Sequence, residues 1–235
     1  MQLNDSLKIS IIIPVLNEAK HIGSLLKFLT TECNTSHVQE IIIVDGGSTD
    51  NTTTIAKEFD TILIYSEKGR AKQMNKGAKL ATGSILYFLH ADTYPPKNFD
   101  AHIMNTVVSG NPAGCFRLRF DSNNLLLKAS GWFSRINLKI CRGGDQSLFV
   151  TKELWDISKG FNEAFIIYED NEFIGRLYKL GNFKVLPQTV ITSARKYNKN
   201  GTIKLQYHFG VIHLIKLLGA SPERLYRYYQ KNIVT

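Results

Sequence analysis

Cysteine is scarce in this 235-residue chain. Cys33, Cys115 and Cys141 are an odd number, and no two of them stand at CxxC spacing. That excludes a disulfide framework and a cysteine-based zinc site, and leaves reduced thiols of the kind a cytosolic protein keeps. Long apolar runs are missing too. No stretch of about 18 uncharged apolar residues occurs, so a membrane-spanning helix is not expected. The first eight residues are polar and the apolar run after them is broken at Pro14, which does not make a signal peptide. Both common glycine fingerprints for phosphates are absent. No G-x-G-x-x-G follows the first apolar run, and G-x-x-x-x-G-K-[ST] occurs nowhere. A nucleotide, if bound, has to be held by carboxylates and a metal. Internal repeats, low-complexity segments and Pro/Gly/Ser linkers are also lacking, so no domain boundary is visible. The length suits one large α/β domain, alone or with an appendage.

Acids are few in the last part of the chain. From Arg195 onward, Arg195, Lys196, Lys199, Lys204, Lys216, Arg224, Arg227 and Lys231 face the single acid Glu223, so this tail carries +7 of the formal +9. The body is nearly neutral and the basic character is local. Two readings of the tail stay open: amphipathic helices packed on the body with a solvated basic face, or contact with an anionic surface.

The first half alternates apolar runs with helical periodicity. Strands are expected at 8–13, 40–45, 61–65 and 85–90, and helices at 19–31, from about Asp50, and at 70–80. Ile41-Ile42-Ile43-Val44 has no period-2 alternation, so both faces of its strand are expected to be buried, as in a parallel sheet. Short βα connections then imply right-handed crossovers and a mostly parallel, doubly wound sheet flanked by helices. Beyond Asp92 the expectations are a helix from Pro95-Pro96 to about Val108, a strand at 115–121, a helix-like stretch at 123–140, a strand at 147–150 and a helix at 168–180. The tail is read as a basic helical extension.

Ligands of such sheets sit outside the carboxyl ends of the strands. Three acid-bearing loops fall there: Asn17-Glu18 after the first strand, Asp45-Gly46-Gly47-Ser48-Thr49-Asp50 after the second, and His90-Ala91-Asp92 after the fourth. The glycines allow close backbone approach to a ligand. Asp50 could equally cap the following helix. Asp92 is a candidate for a hard divalent cation, with His90 beside it as a ligand or as a satisfied polar residue. Glu169-Asp170 opens a helix, where acids also suit the helix dipole. Arg70, Lys72 and Arg195 are candidates for neutralising phosphate.

Taken in order, these motifs resemble glycosyltransferase family 2, inverting enzymes with a GT-A fold, over residues 8–195. Ile11-Ile12-Ile13-Pro14-Val15-Leu16-Asn17-Glu18 resembles the opening strand and N-E loop. The 45–50 segment resembles the D-x-S-x-D turn with one extra glycine, and 69–77 resembles the helix over the donor. His90-Ala91-Asp92 stands at the D-x-D position with histidine in place of the first acid. Gly160-Phe161-Asn162-Glu163, Glu169-Asp170 and Arg176-Leu177 resemble the segment carrying the catalytic base.

The resemblance implies an inverting transfer of sugar from a nucleotide-diphosphate sugar to an acceptor hydroxyl. Asp170 would be the general base, with Glu169 beside it, and Asp92 would hold Mn²⁺ or Mg²⁺. The donor would lie against Pro14, Asn17, Glu18, Asp45, Gly47, Ser48, Asp50, Arg70, Asn75, His90, Ala91 and Arg195. Residues 1–92 would form the nucleotide-sugar half, 93–194 the acceptor half and 195–235 the extension. Gly69-Arg70-Ala71-Lys72-Gln73-Met74-Asn75, Leu89-His90-Ala91-Asp92-Thr93, Gly144-Asp145-Gln146 and Thr192-Ser193-Ala194-Arg195-Lys196 look closest to a bacterial subgroup of small transferases, some linked to arsenosugar synthesis. Nucleic acid is not an expected partner. A cytoplasmic setting, with peripheral contact to the inner face of an anionic membrane, is the expectation for location. The rivals are a nucleotidyltransferase and a non-catalytic module for anionic surfaces.

Overall fold

The structure is a computed structural model and describes residues 7–32 and 36–234. Cys33 lies outside the described residues; Cys115 and Cys141 are free thiols. The chain runs β1 (Ile9–Val15), α1 (Ile22–Glu32), β2 (Val38–Asp45), α2 (Thr52–Ala56), β3 (Ile62–Tyr65), α3 (Arg70–Leu80) and β4 (Ile85–Phe88). It continues through β5 (Thr93–Tyr94), α4 (Phe99–Val108), β6 (Ala113–Phe120), α5 (Leu125–Phe133), β7 (Leu148–Thr151), α6 (Lys152–Ser158), α7 (Glu169–Leu180) and β8 (Phe183–Thr192). The tail forms α8 (Arg195–Asn200), α9 (Thr202–Leu217) and α10 (Pro222–Tyr229).

Eight strands make one sheet in the order β3-β2-β1-β4-β7-β6-β8-β5. The β3-β2-β1-β4 half is parallel throughout, and β6 pairs with β8 in parallel. The β4-β7, β6-β7 and β5-β8 pairings are antiparallel. After β1 the chain steps outward to β2 and β3, then returns to add β4 on the other side of β1. That reversal opens a crevice at the carboxyl ends of β1, β2 and β4.

Apolar residues alternate between two buried layers. Ile11, Ile13, Ile43 and Tyr87 point to the face covered by α1 and α4, with Leu25, Leu26, Phe99 and Ile103. Ile12, Ile42, Val44 and Phe88 point to the face covered by α3, α6 and α7, with Met74, Trp155 and Phe173. Each buried Ile or Leu side chain contributes roughly 1.5–3 kcal/mol, so the double-sided strands supply much of the stability. The fit of α3 on the sheet is tight: a Cβ on Gly77 would lie 2.5 Å from Ile12 Cγ2.

Several expectations need correcting. Strand β4 ends at Phe88, so His90 and Asp92 sit in the turn beyond it, closed by Thr93 N–H donating to His90 O at 3.1 Å. Asn51, not Asp50, holds the cap position of α2, although Thr52 N–H still donates to Asp50 Oδ1 at 3.0 Å. The 123–140 stretch is α-helical only over Leu125–Phe133, with a 3₁₀ turn beginning at Lys139, since the loop between is pulled inward by Arg142. Strand β8 was not anticipated, because Pro187 interrupts its pattern. In the fold Pro187 falls at a bulge between the pairs Phe116–Leu186 and Arg117–Thr189, where no ladder hydrogen bond is required of it. Helix α6 and the two-residue β5 are not apparent in the sequence pattern, and the tail is helical as expected, with three α-helices followed by a π-helical turn at Gln230–Val234.

Candidate active site

The loops after β1 and β2 are tied into one unit. Asn17 adopts φ 56°, which turns the chain so that its N–H donates to Ser48 Oγ at 2.9 Å while its Oδ1 accepts from Thr49 N–H at 2.8 Å. Glu18 N–H donates to Thr52 Oγ1 at 2.8 Å, and Ala19 N–H donates to Asp50 Oδ2 at 3.2 Å. Asp50 therefore works as a tie between the loops. Asp45, 1% exposed, accepts from the N–H groups of Gly47 at 2.9 Å and Ser48 at 3.0 Å. It shapes its own turn, with Gly47 at φ 96°. Pro14 is buried in β1 and registers with Val44 of β2.

Arg195, the first residue of α8, reaches across to these loops. Its guanidinium forks onto Glu18, with Nη1–Oε2 2.7 Å and Nη2–Oε1 2.5 Å. Its Nε lies 3.0 Å from Asp92 Oδ2. Bonding to Glu18 raises the guanidinium pKa, against some desolvation and with support from Asp92. Asp92 thus faces positive charge already. Ala91 is buried beneath it. A pocket of about 200 Å³ opens next to it, lined by His21, Asp92, Tyr94, Asp121, Thr192 and Ser193 among others.

The third group is a buried acid cluster at the start of α7. Glu169 and Asp170 are 4% and 9% exposed. Burial pushes Glu169 up to about 7, helped by the charge of Asp170 and opposed by Arg70 and His90. Burial likewise raises Asp170, against the pull of His90 and Arg70. His90 points inward, with Nε2 3.9 Å from Asp170 Oδ2 and Nδ1 3.4 Å from Asp145 Oδ1. Burial and the Arg70 charge oppose its protonation, but the two aspartates outweigh them and its pKa is raised. Asp145 is lowered, because His90 and Arg70 overcome its own desolvation. Arg70, at the first turn of α3, lies 3.9 Å from Glu169 Oε1. Desolvation disfavours its charge, yet Glu169, Asp170, Asp145 and Asp92 together raise its pKa. Gly144 makes this packing feasible: a Cβ there would fall 1.9 Å from Asp170 Oδ2.

His90 therefore belongs with the α7 acids and not with Asp92. Asn75, expected against the donor, is engaged with the chain itself. Its amide bonds to Phe161 O (2.9 Å), Phe161 N–H (2.9 Å) and Glu163 Oε1 (2.8 Å), so it anchors the loop ahead of α7. Among the described residues no three His, Cys, Asp or Glu side chains are grouped as a metal cage. A single carboxylate still suits Mg²⁺ or Mn²⁺ bound chiefly through substrate phosphates, and Asp92 could serve in that mode once Arg195, now 3.0 Å away, turns from it to the phosphates.

Three residues act by positioning others, a role the sequence did not give them, although Gln73 and Arg176 stand in motifs quoted above. Gln73 Nε2 donates to Val15 O and Val44 O at 2.8 and 2.7 Å, pinning the ends of β1 and β2 together. Arg142, 3% exposed, holds the carbonyls of Ser134 and Ile136 and so fixes the approach to Gly143-Gly144. Arg176 forks onto Glu172 and donates to Gly160 O at 2.6 Å. A buried polar residue on an otherwise apolar helix face was the available signal for Gln73. Arg176 was marked by the Arg176-Leu177 motif, whereas Arg142 carried no signal that separates it from surface charge.

The Glycosyl transferase family 2 model matches residues 10–186. The glycosyltransferase AglE of Haloferax volcanii is 35% identical over 143 residues, covering 52% of this chain and 47% of AglE. The chain thus spans about half of that relative, and about a third of others it matches. Among solved structures, S. aureus TarS in complex with UDP superposes with a TM-score of 0.68 at 20% identity, covering 80% of this chain and 60% of TarS. The mannosyltransferase PcManGT of Pyrobaculum calidifontis, in complex with GDP-Man and Mn²⁺, gives 0.69 at 18% identity, covering 96% of this chain and 68% of its own. The fold is shared with these proteins.

Proposed function

This chain belongs to glycosyl transferase family 2, and we propose that it moves a sugar from a nucleotide-diphosphate sugar to an acceptor hydroxyl by a single inverting displacement. It is an enzyme of the glycosyltransferase kind, which leaves the nucleotidyltransferase and binding-module readings without support. The observation that carries the finer reading is Arg70 set 3.9 Å from Glu169, within reach of the charges of Asp170, Asp145 and Asp92. Those acids come from three separate segments and meet at the switch point of the sheet.

In this reading the nucleoside lies on the loops carrying Asn17, Glu18, Asp45, Gly47 and Ser48. Arg195 exchanges Glu18 and Asp92 for the diphosphate, and Arg70 neutralises charge between the two carboxylate groups. Asp92 would hold Mn²⁺ or Mg²⁺, which when bound offsets the charge building on the departing diphosphate. Asp170 accepts the acceptor's proton, and its raised pKa brings it closer to neutral pH, where a general base is most effective. His90, set against Asp145, places its ring 3.9 Å from Asp170, and Glu169 sets the local charge. Residues 1–92 serve the donor and 93–194 the acceptor, with 195–235 as the extension that lends Arg195. The subgroup with arsenosugar links, a cytoplasmic setting and contact with an anionic membrane belong to the same proposal.

The test is Asp170→Asn, nearly isosteric but unable to take a proton. With a panel of nucleotide sugars and mass-spectrometric detection, turnover should fall roughly 10²-fold or more while donor affinity holds. A fully active variant overturns Asp170 as the base.

A further inference from the structure

Helix α9 is apolar on two opposite sides. Leu205 and Ile212 pack into a small core with Phe165, Ala220, Leu225 and Ile233. On the other side Ile203, Tyr207, Leu214, Leu217 and Leu218 form a stripe at helical spacing, and each is more than half exposed. That second stripe is why the sequence of α9 shows no clean amphipathic face. Helix α5 lies alongside, joined by Gln206 Nε2 donating to Ser130 Oγ at 2.6 Å and Asn124 Nδ2 to Thr202 Oγ1 at 3.2 Å. It repeats the pattern. Leu127 and Gly131 face the body, while Leu125, Leu126, Trp132 and Phe133, followed by Leu138 and Ile140, stay largely exposed.

Within the two segments that carry these side chains the charges are of one sign. Residues 122–144 and 195–218 contain no Asp or Glu. Lys128, Arg135, Lys139, Lys199 and Lys204 are all exposed, and none has an ion-pair partner among the described residues. A soluble protein rarely leaves so many large apolar side chains open, and a purely cationic surround repels a second copy of itself. Apolar residues that enter the headgroup region, ringed by lysine and arginine, fit an anionic bilayer.

We propose that the α5–α9 face docks on an anionic lipid bilayer, with Trp132, Phe133 and the α9 stripe entering the interface and the five cations meeting lipid headgroups. The basic charge of the tail is thus only part of the device, and α5 is the part its composition did not reveal. Because α5 leads through Arg142 into Gly143-Gly144-Asp145, docking holds the acid cluster beside the lipid surface. The proposal deepens the membrane part of the functional reading and is independent of its chemistry. Vesicle binding without donor, and glycosyl transfer without vesicles, therefore fail separately.

The test is co-sedimentation of the full chain with vesicles of phosphatidylcholine alone or mixed with phosphatidylglycerol, at low and high salt. Binding is expected to the anionic vesicles and to weaken with salt. Of the two tryptophans, Trp155 is buried and Trp132 is 55% exposed. A blue shift and quenching by brominated lipid therefore report on Trp132. A Trp132→Ser, Phe133→Ser double variant should lower partitioning at least ~10-fold. Lys128→Glu with Arg135→Glu should do the same without altering the far-ultraviolet dichroism. The proposal is overturned if the wild type ignores anionic vesicles, if it binds zwitterionic ones equally well, or if both folded variants bind as before. A dimer dissociated by the Trp132 change, with no vesicle binding, would assign the face to a second copy instead.

Discussion

Replacing Glu169 by glutamine removes one buried charge and keeps the shape of the side chain. Glu169 ionises near 4.5 in an unfolded chain and near 7 in the fold, chiefly because it is desolvated. Between those values the folded chain binds a proton that the unfolded chain has lost. Wild-type stability therefore falls as pH rises from about 4.5 to about 7, and the loss is complete above that window. At about 1.4 kcal/mol per unit, the difference corresponds to about 3 kcal/mol. With the residue 4% exposed, solvent screening takes little from this. Glu169→Gln has no such titration. Urea unfolding at pH 4, 6 and 8 should give nearly equal stabilities at the acid end and a variant about 3 kcal/mol more stable at pH 8. In a domain of this size that is a rise in Tm of roughly 6–12 °C. Asp170 remains in both proteins, but losing the neighbouring charge also eases its ionisation, so the difference between the two curves reports on the pair and not on Glu169 alone. A pH-independent gap, or a wild type that is the more stable at pH 8, would refute the reasoning. The acid is then a stability cost that the fold carries for its chemistry.

Two further outcomes follow from the geometry. Gly144→Ala puts a Cβ where Asp170 Oδ2 now sits, so turnover should drop roughly 10²-fold while calorimetric binding of the donor nucleotide persists; an active variant would show that the base lies elsewhere. Asp92→Ala should leave the fold intact and abolish the strengthening of uridine or guanosine diphosphate binding by Mn²⁺, read by calorimetry; a retained metal response would remove Asp92 from that role.

Much of this molecule was decided by local pattern. The runs at 9–13 and 41–45 bury both faces, and such strands need helices on either side, so the parallel half and its switch point follow from the chain itself. The acids Glu18, Asp45 and Asp92 sit where strands end, and Glu169-Asp170 opens a helix whose apolar spacing is plain, so their neighbourhood was legible too. What tertiary structure alone decided are the pairings across long separations. Arg195 meets Glu18 and Asp92 only because β8 returns beside β6 and delivers α8 to the open edge of the sheet. Pro187 concealed that strand, since its place at a bulge exists only once β6 lies alongside. In the sequence His90 reads equally as a strand-end ligand or as a satisfied polar residue, and only burial sets it toward Asp145 and Asp170. Helix α9 has apolar residues on two sides, and periodicity cannot say which side the body takes. One-dimensional spacing records which residues share a face; only the packed sheet determines what each face meets.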